Sequence, residues 1–355
     1  MQLPFGQSNS IIGLDIGSAS VKAVELTAKA KGIELQHVGI AQLPPEAIVQ
    51  GAFLNSSAIV DAIREAVNGA SSRTKKVATA VSGHSLIVKK ISLPSMTRDE
   101  LDESIRWEAE QYIPFDINEV NLDFQILSSG ETEGQMDVLL VAAKKDLIDD
   151  YVNVVREAGL HPAVLDVEAF AVENAFEASC ECAPDEVIAL ADIGAQVVNI
   201  NIIADGIPAF TRDISTGGSI YTEEIQKALS VSWEEAERIK IGGSTTEQSQ
   251  EVVPQEVEQA MKSVTETVTG EISRSLDFFA ATAAESRISR IVLTGGGSRV
   301  SGLDAAFQAK TNIPVEHLNP LARVIPSSRF DQDFLEEVGP SLGVSVGLAL
   351  RRADD

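Results

Sequence analysis

Apolar positions along this chain switch between two periods, and each switch marks a change of element. Residues 11–26 read IIGLDIGSASVKAVEL, two apolar stretches (Ile11 to Ile16 and Val21 to Leu26) around a Gly-Ser-Ala-Ser turn. That pattern predicts a β-hairpin, and IELQHVGIAQL adds a third strand. The period then lengthens. In NSSAIVDAIREAVNGA the apolar residues Ile59, Ile63 and Val67 fall at helical spacing, with Asn55 or Ser56 as the cap and Gly69 as the stop. KKVATAVS returns to alternation at Val77, Thr79 and Val81 and reads as a buried strand.

Residues 84–145 change character. LIVKKISLP is a strand, and TRDELDESIRWEAEQY is an amphipathic helix whose Thr97 and Glu100 make a capping box. The helix is expected to run to Ile113-Pro114, because the residue before proline resists the α conformation. VNLDFQILSS and QMDVLLVAAKK are strands, and DLIDDYVNVVREAGL is a helix. This is a small α+β module inserted into a larger fold, and nothing in it suggests catalysis.

The opening pattern then recurs. Residues 187–203, VIALADIGAQVVNINII, again run strand, Asp-Ile-Gly, short turn, strand. Asp15 and Asp192 hold the same place in two matching hairpins, so the chain predicts two pseudo-equivalent domains. Residues 217–286 are mostly helical, with Val257, Met261, Val264, Val268, Ile272, Leu276 and Phe279 on one core-facing stripe. RISRIVLTGGGSRVSGLDAAFQAK reads as strand, glycine turn and helix. VGPSLGVSVGLALR is a small-residue helix able to pack closely on a neighbour.

Composition narrows the picture. A length of 355 residues favours two domains over one core. With 53 acidic and 28 basic residues the formal net charge is −25, a field that repels nucleic-acid backbones and anionic lipid. MQLPFGQSNS lacks the basic and apolar regions of a signal peptide, and no window approaches ~18 uninterrupted apolar residues. GLALRRADD offers no amphipathic anchor. Cys180 and Cys182 form a lone C-x-C without further zinc ligands. A reduced, cytoplasmic protein is expected.

The awkward residue is Asp15, a carboxylate in a strand that should be buried. Turn amides can cradle phosphate oxygens, Ser18 and Ser20 add hydroxyl donors, and Lys22 adds a cation. Carboxylates repel phosphate but can hold Mg²⁺ through its water shell. Asp15 and Asp192, facing each other across a cleft, would then flank a metal-bound polyphosphate, so hydrated Mg²⁺ rather than a neighbouring side chain is the expected partner of Asp15. VLTGGGSRVSG lets a flat or anionic group approach a helix start. No G-x-G-x-x-G or Walker A pattern occurs. STGGSIYTEEIQKAL has another Gly-Gly turn. In EEAERIK, Glu237 and Lys240 lie at i, i+3, where a solvated surface ion pair is the plain alternative.

In this order the pieces resemble the actin-like nucleotide-binding superfamily. LDIGSASVKAVEL and LADIGAQVVNINI look like its two phosphate motifs, VLDVEAFAVENA and GPSLGVSVGLAL its connecting helices, and IVLTGGGSRVSGL its adenosine motif. The resemblance implies an α/β, actin-like (ribonuclease H-like) two-domain fold with a small inserted α+β subdomain. The first domain would take residues 1–83 and 151–186, the insertion 84–150, the second domain 187–216 and 287–355, and a helical subdomain 217–286. LPSMTRDELDESIRWEAEQYIPFDINEVNLDFQIL is similar to the inserted subdomain of the PilM family of type IV pilus assembly proteins, and HLNPLARV and GLALR also look like that family. The length agrees; an FtsA-type division protein would need a longer chain ending in a membrane-targeting helix.

Carried onto this chain, the resemblance implies that ATP and Mg²⁺ are bound by Asp15, Gly17, Ser18, Ser20 and Lys22, and from the second domain by Asp192, Gly194, Ala195 and Gln196. Asp15 and Asp192 would hold the metal through water. Gly217 and Gly218 would approach the nucleotide, and Glu237 and Lys240 the ribose or adenine. Gly295, Gly296, Gly297 and Ser298 would pack on the adenosine, with Arg299 as a stacking partner. The catalytic candidates are Asp192 and Glu168, with Asp166 as runner-up for the group that orients water. Val197 and Val198 replace the hydroxyl residues usual after the second turn, so slow or negligible turnover is expected.

The function implied is a cytoplasmic ATP-binding scaffold. It would bind the cytoplasmic N-terminal tail of PilN and so sit peripherally at the inner membrane through its partner. The groove for that tail should involve the inserted module. A division-type filament former and a small-molecule kinase of the same superfamily are the alternatives, although no acceptor pocket is evident for a kinase. Self-association stays open.

Overall fold

A computed structural model of the chain describes residues 10–129, 134–183, 185–241, 255–282 and 287–351. The first domain opens with β1 (Ile12–Ile16), β2 (Ser20–Lys29) and β3 (Gly32–Gln42) in an antiparallel meander. A small hairpin follows, β4 (Ile48–Val49) and β5 (Ala52–Phe53), then helix α1 (Ser56–Ala70) and β6 (Lys76–Val81), which runs parallel to β1. Asn55 caps α1, as expected. Gly69 does not stop it; the helix runs on to Ala70, and Ser71 in the left-handed region ends it.

The insertion is β7 (Leu86–Pro94), α2 (Arg98–Ala109), β8 (Val120–Ser129) and β9 (Gln135–Lys144), a three-stranded antiparallel sheet in the order β7-β9-β8. The Thr97–Glu100 capping box is present. The α-helix ends at Ala109, short of Ile113-Pro114, and turns fill the gap. Helix α3 (Lys145–Glu157) begins directly after β9, and its Tyr151, Val154 and Val155 enter the first domain's core. Leu147 packs partly buried against the same core. β10 (His161–Val167) closes that sheet parallel to β6.

Helix α4 (Glu168–Ser179) leads to the second sheet: β11 (Val187–Ile193), β12 (Val198–Ala204) and β13 (Ile207–Ile214) in a meander. α5 (Ser219–Leu229), α6 (Trp233–Lys240) and α7 (Gln255–Thr282) follow. The apolar stripe read on α7 is buried except at Met261, which packs partly buried against the core. β14 (Arg290–Thr294) runs parallel to β11; a 3-10 turn at Gly296–Arg299, α8 (Leu303–Thr311) and β15 (Val315–His317) complete the sheet. The orders β10-β6-β1-β2-β3 and β15-β14-β11-β12-β13 are the same design used twice.

The chain then crosses back. β16 (Val324–Pro326) pairs parallel to β3, so a segment assigned to the second domain joins the first sheet, covering the free edge of β3. After α9 (Gln332–Val338), helix α10 (Gly343–Ala349) packs between the sheets beside α4. Its small residues are required there. A Cβ on Gly347 would lie 1.7 Å from Ala171 O, and one on Gly13 of β1 would lie 2.0 Å from Ser345 O. Ile11, Ala78, Phe176, Ile188, Val292 and Leu348 form one cluster, so a shared core joins the two sheets through α4 and α10.

Residues 1–9, 242–254 and 352–355, which carry the leader reading, part of the helical subdomain and the end of the C-terminal tail, lie outside the described residues. Among those described, no helix is long and apolar enough to cross a membrane.

Candidate functional site

The two hairpins close alike. Gly17 N donates to Ser20 O at 3.2 Å, and Gly194 N donates to Val197 O at 2.9 Å. Asp15 lies opposite Lys22 across the first, and Asp192 opposite Asn199 across the second. Lys22 Nζ donates to Asp15 Oδ2 at 2.9 Å, with both side chains nearly buried. The expectation that Asp15 lacks a side-chain partner is thus corrected. Burial draws the lysine pKa down, but Asp15 beside it, with Asp192 and Glu168, more than offsets this and holds it above the usual value.

Asp192 has no such cation opposite it. Burial first, and then the charge of Asp15, push its carboxyl up to about 7, although Lys22 pulls the other way. Asn199 instead turns to α4, where its Nδ2 donates to Glu168 Oε2. Glu168 is pushed up to about 8, mainly by burial and then by Asp15; the Ser82 hydroxyl opposes this, and Asp192 and Asp213 add to it. Asp213 accepts from Gly83 N, and burial raises its pKa too. Four carboxyl groups thus influence one region that holds a single lysine, an arrangement that favours an arriving cation. Among the described residues no three His, Cys, Asp or Glu side chains converge closely enough to grip a metal directly. The donor set suits an ion that keeps its water shell.

A network grows from the second turn. Gly218 N donates to Gly194 O at 2.9 Å, and Ser219 N and Oγ donate to Ala195 O at 2.8 and 2.7 Å. A Cβ on Gly217 would lie 2.5 Å from Ala195 O, so only glycine permits this contact. Lys240 Nζ donates to Gly218 O at 3.3 Å, to Thr222 Oγ1 at 3.1 Å and to Glu237 Oε1 at 2.6 Å. The Glu237–Lys240 pair is therefore no solvated surface bridge. It ties α6 to the start of α5 with the lysine buried.

The glycine run divides its work. Gly295, at φ 84°, would place a Cβ 2.1 Å from Asp192 Oδ1, and one on Gly297 would lie 2.6 Å from Ile193 Cγ2. Ser298 Oγ donates to Gly295 O at 2.7 Å and is buried. These three residues face the hairpin, whereas Gly296 and Arg299 are exposed. Gln196 is also occupied: its Oε1 accepts from Gln50 N at 3.0 Å and its Nε2 donates to Ile48 O at 2.9 Å, joining the second turn to the β4–β5 hairpin. Ser18 and Ser20 remain partly exposed at the first turn. Asp166 is engaged by Arg351 at 2.6 Å and by Val167 N.

Sequence reasoning missed Asn199, Ser82, Asp213 and the β4–β5 hairpin. The repeat held the signal for the first: superposing the two motifs residue by residue sets Asn199 on Lys22.

The PilM_2 family, described as type IV pilus assembly protein PilM, matches residues 13–353. Among solved structures, the PilM-PilN type IV pilus biogenesis complex is 32% identical, with a TM-score of 0.84 over 96% of this chain and 98% of that one. MreB 5 of Spiroplasma citri bound to AMPPNP has a TM-score of 0.54 at 13% identity, covering 96% and 95% of the two chains, a likeness of fold. The cell division protein FtsA of Bacillus subtilis is 24% identical over 255 residues, 64% of this chain and 57% of that protein, so the match spans little more than half of that relative's length.

Proposed function

The chain belongs to the PilM family of type IV pilus assembly proteins, and on that premise we propose that it is a cytoplasmic, ATP-binding, actin-like scaffold that binds the N-terminal tail of PilN. Two hairpins of one design, set on sheets that share a core, carry the nucleotide reading. Asp15 and Asp192 are drawn into one electrostatic neighbourhood with one lysine between them. Mg²⁺ held through water would neutralise that neighbourhood while the turn amides take the phosphates. Glu237, whose Oε1 accepts from Thr222 and Lys240, would accept from a ribose hydroxyl through Oε2.

The partner reading draws on the relative solved with PilN. The inserted module offers a groove of about 430 Å³ lined by Arg98, Ile105, Arg106, Leu122 and Phe124. β8, one wall, is an edge strand with backbone groups open to an extended peptide. Binding there would bring the protein to the inner membrane through its partner. A pull-down with a synthetic PilN tail, with and without Mg-ATP, tests this. Retention of the chain by the peptide is expected, and no retention in either condition overturns the scaffold reading.

A further inference from the structure

The two hairpins share one register, and opposite the aspartate a cation in the first becomes an amide in the second. Lys22 bonds the carboxylate opposite it, and Asn199 does not. Asn199 is 6% exposed, its Nδ2 bonds Glu168, and its Oδ1 has no partner among the described residues. An unsatisfied buried acceptor costs stability, so the side chain is held in a costly orientation by the bond it does make. Glu168 begins α4, which links the domains, whereas Asn199 sits on β12 of the second domain. Ser82, just after β6, lies near enough to the same carboxyl to draw its pKa down. Glu168 is thus held from the second domain by the Asn199 amide.

We propose that Asn199 is a positioning residue that restrains Glu168, so that bound ATP is retained rather than hydrolysed; this rests on the nucleotide reading above. In hydrolysis, the oxygen of a water attacks the γ-phosphorus and the bond to the β-bridging oxygen breaks. ADP leaves with that electron pair, and the proton lost by the water passes to a carboxylate. To take that proton, a Glu168 oxygen must point at the water within hydrogen-bond reach. Asn199 occupies Oε2 and so fixes the plane in which the carboxyl can turn toward that water. The residue that neutralises a phosphate-side carboxylate in one hairpin is replaced in the other by one that blocks the base.

The test compares ATP turnover and bound nucleotide in the full-length wild type, Asn199→Ala, Asn199→Ser and Asn199→Ala/Glu168→Gln, with thermal unfolding as the folding control. Both single variants should raise kcat roughly tenfold with KM unchanged, a modest part of what a positioned base supplies. The double variant should return to the wild-type rate. A change confined to folding would move unfolding and KM, not kcat alone. If either folded single variant leaves kcat unchanged or lowers it while ATP still binds, Asn199 is no restraint. If neither single variant folds, the comparison moves to Asn199→Leu, which keeps the buried volume and removes the donor, and an unchanged kcat there overturns the proposal. If the wild type binds no ATP, the nucleotide reading itself falls, and the restraint with it.

Discussion

Lys22 and Asn199 stand at the same register position in two hairpins of one design, yet Lys22 bonds across its own hairpin to Asp15 while Asn199 reaches out to Glu168. The first hairpin is electrostatically closed on itself. The second leaves Asp192 without a cation opposite it and turns its amide to α4.

Breaking the first pair should be costly. Lys22→Met strands a buried carboxylate and should destabilise the chain by about 3 kcal/mol, read from the urea midpoint. Placed on Asp15→Asn, the same change should cost much less, because no charge is left to strand. Equal losses in both backgrounds would mean that the pair is not coupled. Asp15→Ala should also abolish retention of ATP, whatever its effect on folding.

The glycine run should tolerate change unevenly. Gly295→Ala would press a Cβ against Asp192 Oδ1 at a φ of 84°, whereas nothing lies within 4 Å of a Cβ on Gly296. Gly295→Ala is expected to lower the unfolding temperature by several degrees, from about 2 kcal/mol of strain. Gly296→Ala should leave the apo protein within about 0.5 kcal/mol of wild type. Thermal scans of both variants distinguish these outcomes.

Much of this was legible in the chain. Strands, helices and the repeat follow from local period, and the capping box at Thr97 follows from side chains three residues apart. What was not legible depends on distant partners. Asp15 looked orphaned because the chain does not reveal that Lys22 falls directly opposite it until the hairpin register is known. The bridge made by Gln196 is not legible because its partners, Ile48 and Gln50, offer only backbone groups, which carry no residue-specific signal. The pairing of β16 is hidden for a similar reason: a three-residue edge strand draws its identity from β3, nearly three hundred residues earlier.

Gln196 should govern how nucleotide leaves. Its amide bridges the second turn to β4–β5 through two bonds. Gln196→Ala removes both, so the Gln50 amide should exchange its hydrogen faster, and a fluorescent ATP analogue should dissociate several-fold faster with an unchanged on-rate. Unaltered protection of Gln50 would mean that the bridge is not formed in solution.

Glu173 gives a pH dependence that can be isolated from the nucleotide site. It is buried against β12, where its Oε2 accepts from Asn201 Nδ2 at 2.8 Å. Burial is the main reason its carboxyl is pushed up to about 7; Glu177 and Asp166 add to this, and Asn201 and Arg351 oppose it. Between about pH 4.5 and 7 the folded chain keeps a proton that the unfolded chain has released. The contribution of Glu173 to stability therefore falls as pH rises through that window and stays low above it. Glu173→Gln cannot ionise and keeps the amide contact with Asn201. The variant should match wild type near pH 5 and exceed it by about 2–3 kcal/mol at pH 8, in paired urea titrations. A constant offset at every pH would assign the effect to packing, and a variant less stable at pH 8 would mean that the ionised carboxylate is the form the interface between β12 and α4 prefers.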